Sequence, residues 1–237
     1  MNANDLNPSI HRLAWGLIVF GAILYIGIRL IPSPFLIHAH QIETGPAPTV
    51  VQSILAGPFK GIAADFNILA VFTVYDQIKK HAPLDETQQQ PAWQQLSSYL
   101  YRAQSLDPWF MDTYRLSIGL LGFSEGHAAD AVQLLEMGSS YISQDWKLPF
   151  FAGFIAYDRL HDESKAFKYM QESIKRPNVP PLAIGLASRF LQKEKGEEAS
   201  MLFLEYMLAT MPEGYHGPIK RRLDELKVHT SVKGNKK

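Results

Sequence analysis

The histidines and carboxylates of this chain are the side chains most able to do chemistry, and none is spaced for it. Its eight histidines are His11, His38, His40, His81, His127, His161, His216 and His229, and no two stand four apart on one predicted helix. A zinc hydrolase needs two imidazoles on one helix face with a carboxylate beside them, and that pattern is missing. His38, His40 and Glu43 could approach a common cation. They fall on a proline-bounded connector, however, where polar side chains close to a membrane are the simpler account. The adjacent acids Glu197 and Glu198, and Asp224 and Glu225, lie in charged helical stretches and read as solvated surface. No phosphate-cradling glycine loop, nucleophile elbow or dinucleotide fingerprint occurs. The chain has no cysteine, which removes disulfides, thiol catalysis and cysteine-ligated metals. The expectation is a protein with no enzymatic activity, no cofactor and no bound metal.

Charge excludes a further class. Lys and Arg number 23, and so do Asp and Glu. A chain of zero net charge lacks the basic surface that phosphate backbones require, so nucleic acid is not an expected partner. The basic residues 220–222 and the lysines of the tail read as a solvated helix face and a frayed end.

What must position any binding residues is a set of helices, the first of them in a membrane. Residues 13–28, LAWGLIVFGAILYIGI, carry no charge. Arg29 can snorkel to the interface and extend the apolar span through residue 31. Trp15 and Tyr25 stand near its two ends, where aromatic rings favour the headgroup zone, and Pro32 and Pro34 stop the helix. A cleaved leader would need small residues before the cut, and PFLIHA offers none in the right places. Residues 13–31 are therefore expected to anchor the chain in the bilayer, after a short flank at 1–12. Arg12 and the free amine precede the span, while 31–59 hold no Lys or Arg. The positive-inside bias puts the N-terminus in the cytoplasm and the body on the other side, the periplasm if the membrane is a bacterial inner membrane.

Residues 32–59, with five prolines, form a stiff connector. Residues 60–80 read as a helix of five to six turns, apolar on more than one face, which must be buried or lie against a membrane or partner. Asp65 in its first half is favoured by the helix dipole and is a candidate structural or partner contact. LDETQQQP, residues 84–91, reads as a polar loop. A rhythm then begins. Leu96/Leu100/Ala103, Ala131/Leu135/Gly138, Ala166/Met170/Ser173 and Ala199/Phe203/Tyr206 share the spacing i, i+4, i+7, and follow one another at 35, 35 and 33 residues. Such a period marks a stack of helix pairs, each burying its apolar face on the next. Asp107-Pro108, Arg176-Pro177 and Met211-Pro212 break the chain at the ends of units.

These residues resemble the tetratricopeptide repeat family. Ala131, Ala166 and Ala199 match its small helix-B position, Leu135, Met170 and Phe203 the large one, and Ala103 and Pro108 the end of a unit. Gly138 and Tyr206 depart from the family's Ala, and Phe154 stands where helix A of the third unit should carry a small residue. The resemblance implies an all-α protein: a single transmembrane helix, then a tetratricopeptide-like α-solenoid of about three to four helix pairs over 60–212, a capping helix at 213–228 and a basic tail at 229–237. In that family the A helices line the binding face. By register this implies partner contacts at Leu116, Leu120, Phe123, Phe151, Ile155, Asp158, Ile184, Ser188 and Leu191. Most are apolar, and the Lys and Arg that would hold an acidic peptide terminus are missing from the set. An apolar helix or strand of a membrane-associated protein fits better, unless helix 60–80 or the cap fills the face. The implied function is a membrane-anchored scaffold or assembly factor. A permanent accessory subunit of an envelope or electron-transport complex, and a module for a hydrophobic small ligand, are the alternatives.

Overall fold

The computed structural model describes residues 54, 56–80 and 86–234, together with residues 15, 16 and 19–21, which are helical. The rest of the expected anchor at 13–31 lies outside the described residues, as do His38, His40 and Glu43. Among the described residues, no helix is long and apolar enough to cross a membrane. Residues 46–237 form one compact unit. It is all-helical among its described residues.

A single-turn 3-10 helix, Gly57–Phe59, leads into α1, Lys60–Lys80, with the boundaries its sequence predicts. α2, Glu86–Leu106, starts earlier than expected, so most of the predicted loop is helix and Pro91 lies inside it. α3, Met111–Leu116, runs into a π-helical turn, Ser117–Leu121. α4 is Ala128–Tyr141, α5 Lys147–Asp158, α6 Glu163–Ile174, α7 Pro181–Lys195 and α8 Glu197–Thr210. α9, His216–Gly234, closes the unit and is longer than the predicted cap. Helix ends follow local chemistry. Asp162 caps α6, its Oδ1 accepting from the Lys165 amide at 2.9 Å. Pro180 and Pro181 set the start of α7, and Gly196, at φ +92°, turns the chain between α7 and α8.

Consecutive helices pack on one another along the chain, and alternate helices touch as well, α2 with α4 and α7 with α9. That is the contact pattern of stacked helix hairpins. The predicted rhythm is their shared interior: Leu96, Leu100, Ala103, Ala131, Leu135, Ala166, Met170 and Ser173 are all fully buried. Polar rungs of near-constant separation tie every second helix. Ser97 Oγ donates to Asp130 Oδ2 (2.9 Å) and Tyr101 OH to Gln133 Oε1 (3.0 Å), joining α2 to α4. Lys168 Nζ to Glu136 Oε1 (3.4 Å) and Ser139 Oγ to Glu172 Oε1 (2.8 Å) join α4 to α6. Burial, then the nearby carboxylates, push the Tyr101 and Tyr169 phenols up.

Two details of the rhythm are corrected. In the last unit the buried set is Ser200/Leu204/Met207, one residue later than Ala199/Phe203/Tyr206, and Tyr206 is 63% exposed. Both sets have the same internal spacing. Ser200 decides between them, because its hydroxyl lies 2.8 Å from that of Ser188 across the α7–α8 crossing. Nor does Phe154 stand at the small position of α5. Gly153 does: a Cβ there would lie 2.9 Å from the Ala166 carbonyl oxygen. Gly153 and Ser188 are thus the close-approach residues of α5 and α7, and the small buried residue at the corresponding place after α3 is Ser117, the first of the π-helical turn. Leu204→Ala is expected to cost about 2–5 kcal/mol in urea unfolding. Tyr206→Ala is expected to change stability by less than about 0.5 kcal/mol, and the opposite ranking would restore the earlier register.

The turns within successive pairs shorten. Residues 122–127 separate the π-turn from α4, 159–162 separate α5 from α6, and Gly196 alone separates α7 from α8.

Candidate functional site

The nine residues implied by the resemblance do not share one surface. Ile155, Ile184, Ser188 and Leu191 are buried and cannot meet a partner. The reason is geometric: on the A helices these positions close the interface between neighbouring helices. A Cβ at Gly122 would stand 2.7 Å from Ile155 Cδ1, and Ser188 is engaged by Ser200 and, at 3.4 Å, by Arg222 Nε. Leu116, Leu120 and Phe151 are half-buried and pack against the core. Phe123 and Asp158 are exposed. α1 packs on α2, and α9 on α7 and α8.

The accessible part of the A-helix side is aromatic and flanked by cations. Phe123 meets Phe154 with ring centres 6.2 Å apart, and the Arg159 guanidinium lies 5.5 Å from the centre of the Phe123 ring. Further along, Tyr157 stacks on Phe190 at 4.3 Å, and Lys193 Nζ sits 4.7 Å over the Tyr157 ring. The Tyr157 hydroxyl holds the Lys193 ammonium above its usual range. A concavity of about 760 Å³ lies beside this stack, lined by Tyr157, Arg189, Gln192, Lys193, Glu197 and Arg222. The expectation that this side lacks Lys and Arg is therefore corrected. Carrying the family's register over pointed to Ser188 and Leu191, which face inward, whereas Arg189 and Lys193 of the same helix are exposed. Arg222, from α9, could not have been placed there from spacing within the repeats. Its Nη2 donates to Gln192 Oε1 at 2.6 Å and its Nη1 to Glu225 Oε2 at 3.0 Å.

α1 has two apolar faces, as its sequence predicts. Ala64, Ile68, Val71, Val74 and Ile78 are buried. Phe59, just before it, and Ile62, Phe66, Leu69 and Phe72 are each more than half exposed. Asp65 is exposed within this stripe, in line between Ile62 and Leu69. The buried polar residue of the helix is its neighbour Asn67, whose Nδ2 donates to the Ala63 carbonyl at 2.7 Å.

The remaining polar features lie around α3 and α4. His127 stacks on Trp93, ring centres 5.4 Å apart, with Nδ1 4.0 Å from Asp130 Oδ2. Burial lowers its pKa, against the pull of Asp130. Its Nε2, Thr113 Oγ1 and Ser117 Oγ are buried without a hydrogen-bond partner. His127 and His161 do occupy equivalent turns of successive pairs, as the repeat implies. Among the described residues, no group of three or more His, Asp or Glu could hold a metal. Compared with protein-family models, with curated proteins and with solved structures, the chain matches none of them.

Proposed function

We propose that this protein is a membrane-anchored, tetratricopeptide-like scaffold that holds a partner protein at the bilayer surface, on the periplasmic side if the membrane is a bacterial inner membrane. The observation that carries the reading is the Phe123–Phe154 pair, an aromatic surface presented by rigid stacked helices with Arg159 across it. Aromatic rings beside arginine are the usual anchors of protein–protein contacts. The repeat packing supports the same reading, because it supplies a wide binding surface. A hydrophobic small ligand is less well served. The concavity beside Tyr157 is lined by three cationic side chains and one carboxylate rather than by apolar groups.

A photo-crosslinking residue at exposed position 158 of the full chain, in membranes of its own cell, tests this. A discrete protein adduct is expected. Adding Phe123→Glu should reduce its yield by about tenfold, the effect of losing a hot-spot side chain. Helical content should be unchanged, because Phe123 is already 40% exposed. An adduct insensitive to Phe123→Glu, or no adduct at all, refutes the assignment of this face. Recovery of the adduct in one fixed stoichiometry after native sizing would favour a permanent subunit over an assembly factor.

A further inference from the structure

We infer that α1 lies lengthwise on the bilayer, with the stripe Phe59, Ile62, Phe66, Leu69 and Phe72 seated among the lipids. The inference rests on the reading of residues 13–31 as an anchor, and it adds a second, separate contact with the membrane.

The stripe is the starting point. Residues 59, 62, 66, 69 and 72 follow the three-and-four spacing of one helix side, and all five are more than half exposed. The opposite side of the helix is already buried by the packing of α1 on α2. A helix apolar on two sides needs a second apolar neighbour, and the packed helices supply only one. The far end of the stack has no such need. α9 turns Lys220, Arg221, Asp224, Glu225 and Lys227 to water, as a terminal cap does.

Three observations select lipid as the neighbour. The first is tethering. Only residues 32–53 separate the apolar span from the start of the described chain at 54, and fully extended they reach about 75 Å. The bilayer is thus held within reach of α1 at all times. Glu43 is the single charge between 32 and 59, so little in the connector favours keeping the stripe in water. The second is the charge on the helix ends. Lys60 opens α1 and Lys79 and Lys80 close it, Lys79 lying 5.4 Å over the Tyr75 ring and Lys80 paired with Asp76; these exposed side chains can lay their stems along the apolar surface and turn their ammonium groups to headgroup phosphates. The third is what the helix cannot do. At 21 residues α1 is about 31 Å long, enough to cross a hydrocarbon core. Lys60, Asp65, Asp76, Lys79 and Lys80 prevent it from spanning, and the helix is not apolar enough to cross. A helix long enough to span, too charged to do so, and with an open side that is apolar from Phe59 to Phe72 apart from Asp65 lies in the interface plane.

The absence of cysteine makes the test direct. Phe66→Cys and, as a distant control, Glu198→Cys on exposed α8 are each labelled with an environment-sensitive fluorophore in the full chain. The chain is reconstituted in vesicles of phosphatidylcholine with one-quarter phosphatidylglycerol. Brominated lipids are expected to quench the label at 66 by about twofold or more and to leave the label at 198 unchanged, as for an apolar face inserted at the acyl boundary. A label at 66 that aqueous iodide quenches and brominated lipid does not would overturn the inference. So would a label at 66 shielded from both, with unlabelled Phe66→Cys forming a disulfide dimer as concentration rises, because a second copy would then cover the stripe. Alkaline carbonate extraction of the same vesicles reports on the anchor separately. A chain that is extracted, yet quenched by lipid at 66 before extraction, would sink the anchor reading and keep the seating of α1.

Discussion

Arg176→Ala is expected to lower folding stability by about 3–5 kcal/mol, because several acceptors lose their donor at about 1–3 kcal/mol for each that is left buried. Arg176 follows α6, and its side chain is only 8% exposed. Nη1 donates to the carbonyls of Ile142 (3.1 Å) and Asp145 (2.6 Å). Nη2 donates to the Ser139 carbonyl (3.0 Å), to Ser139 Oγ (2.5 Å) and to Glu172 Oε1 (2.6 Å). The Ser139 and Ile142 carbonyls lie at the C-terminal end of α4, where the helix leaves oxygens without donors and where the dipole favours a cation. One guanidinium therefore closes the end of one helix from the start of the segment after another. Alanine would strand these acceptors in a water-poor site. Arg176→Lys should recover less than half of the loss, because an ammonium cannot span so many acceptors in a plane. The melting temperature should fall by roughly 10 °C in the alanine variant, given about 2–4 °C per kcal/mol for a chain of this size. A loss under about 1 kcal/mol in urea unfolding at unchanged slope would show that the network is incidental.

The second large effect comes from adding one methyl group. A Cβ at Gly138 would stand 2.3 Å from Tyr114 Cε1 and 2.5 Å from Cζ. Tyr114 has nowhere to go. It is fully buried, its hydroxyl donates to the Pro108 carbonyl at 2.7 Å, and burial pushes its pKa up to about 12. In an exposed helix Gly→Ala would gain about 1 kcal/mol from propensity. Here overpacking outweighs that gain, and a net loss of about 2 kcal/mol is expected for Gly138→Ala. The partner experiment is Tyr114→Leu, which destabilises by itself but opens the space. In the Tyr114→Leu background, Gly138→Ala should become neutral or stabilising, a coupling of at least about 2 kcal/mol between the two sites. Simple additivity would show that the ring is not what excludes the methyl group.

Gly138 illustrates how far the sequence was legible. Its position in the rhythm was evident, and so was its departure from alanine. The cause of the departure was not, because Tyr114 reaches it from 24 residues earlier in the chain. The helices themselves, their order and most of their buried faces follow from apolar spacing and proline breaks, since burial on one side is what the spacing encodes. Register within a helix is harder. Ala199/Phe203/Tyr206 and Ser200/Leu204/Met207 have the same geometry, and hydropathy favours the set with alanine over the set with serine. Only the Ser188 hydroxyl across the crossing makes Ser200 the inner residue. Ser188 and Leu191 of the implied binding set face inward for the same reason. A shift of one residue turns a helix by about 100°, enough to exchange Ser188 for Arg189 and Leu191 for Gln192. The apolar second side of α1 was plain in the sequence. The concavity that gathers Arg189, Lys193 and Arg222 was not, because two of its walls belong to helices that meet only once the stack has formed.

The shortening turns within the pairs bear on how this chain can change. From the inner residue of one B helix to the close-approach residue of the next A helix the count is the same twice, 131 to 153 and 166 to 188. From the A residue to the B residue it varies: 117 to 131, 153 to 166, 188 to 200. The step across the stack changes by only one residue, 96 to 117 being 21 where the other two are 22, and the larger variation, two residues, falls at the edge where the hairpins turn. Glu125 and Gly126, the exposed tip of the longest of these turns, are therefore where inserted sequence, an affinity tag or a grafted recognition loop would be accommodated without altering how one pair seats on the next.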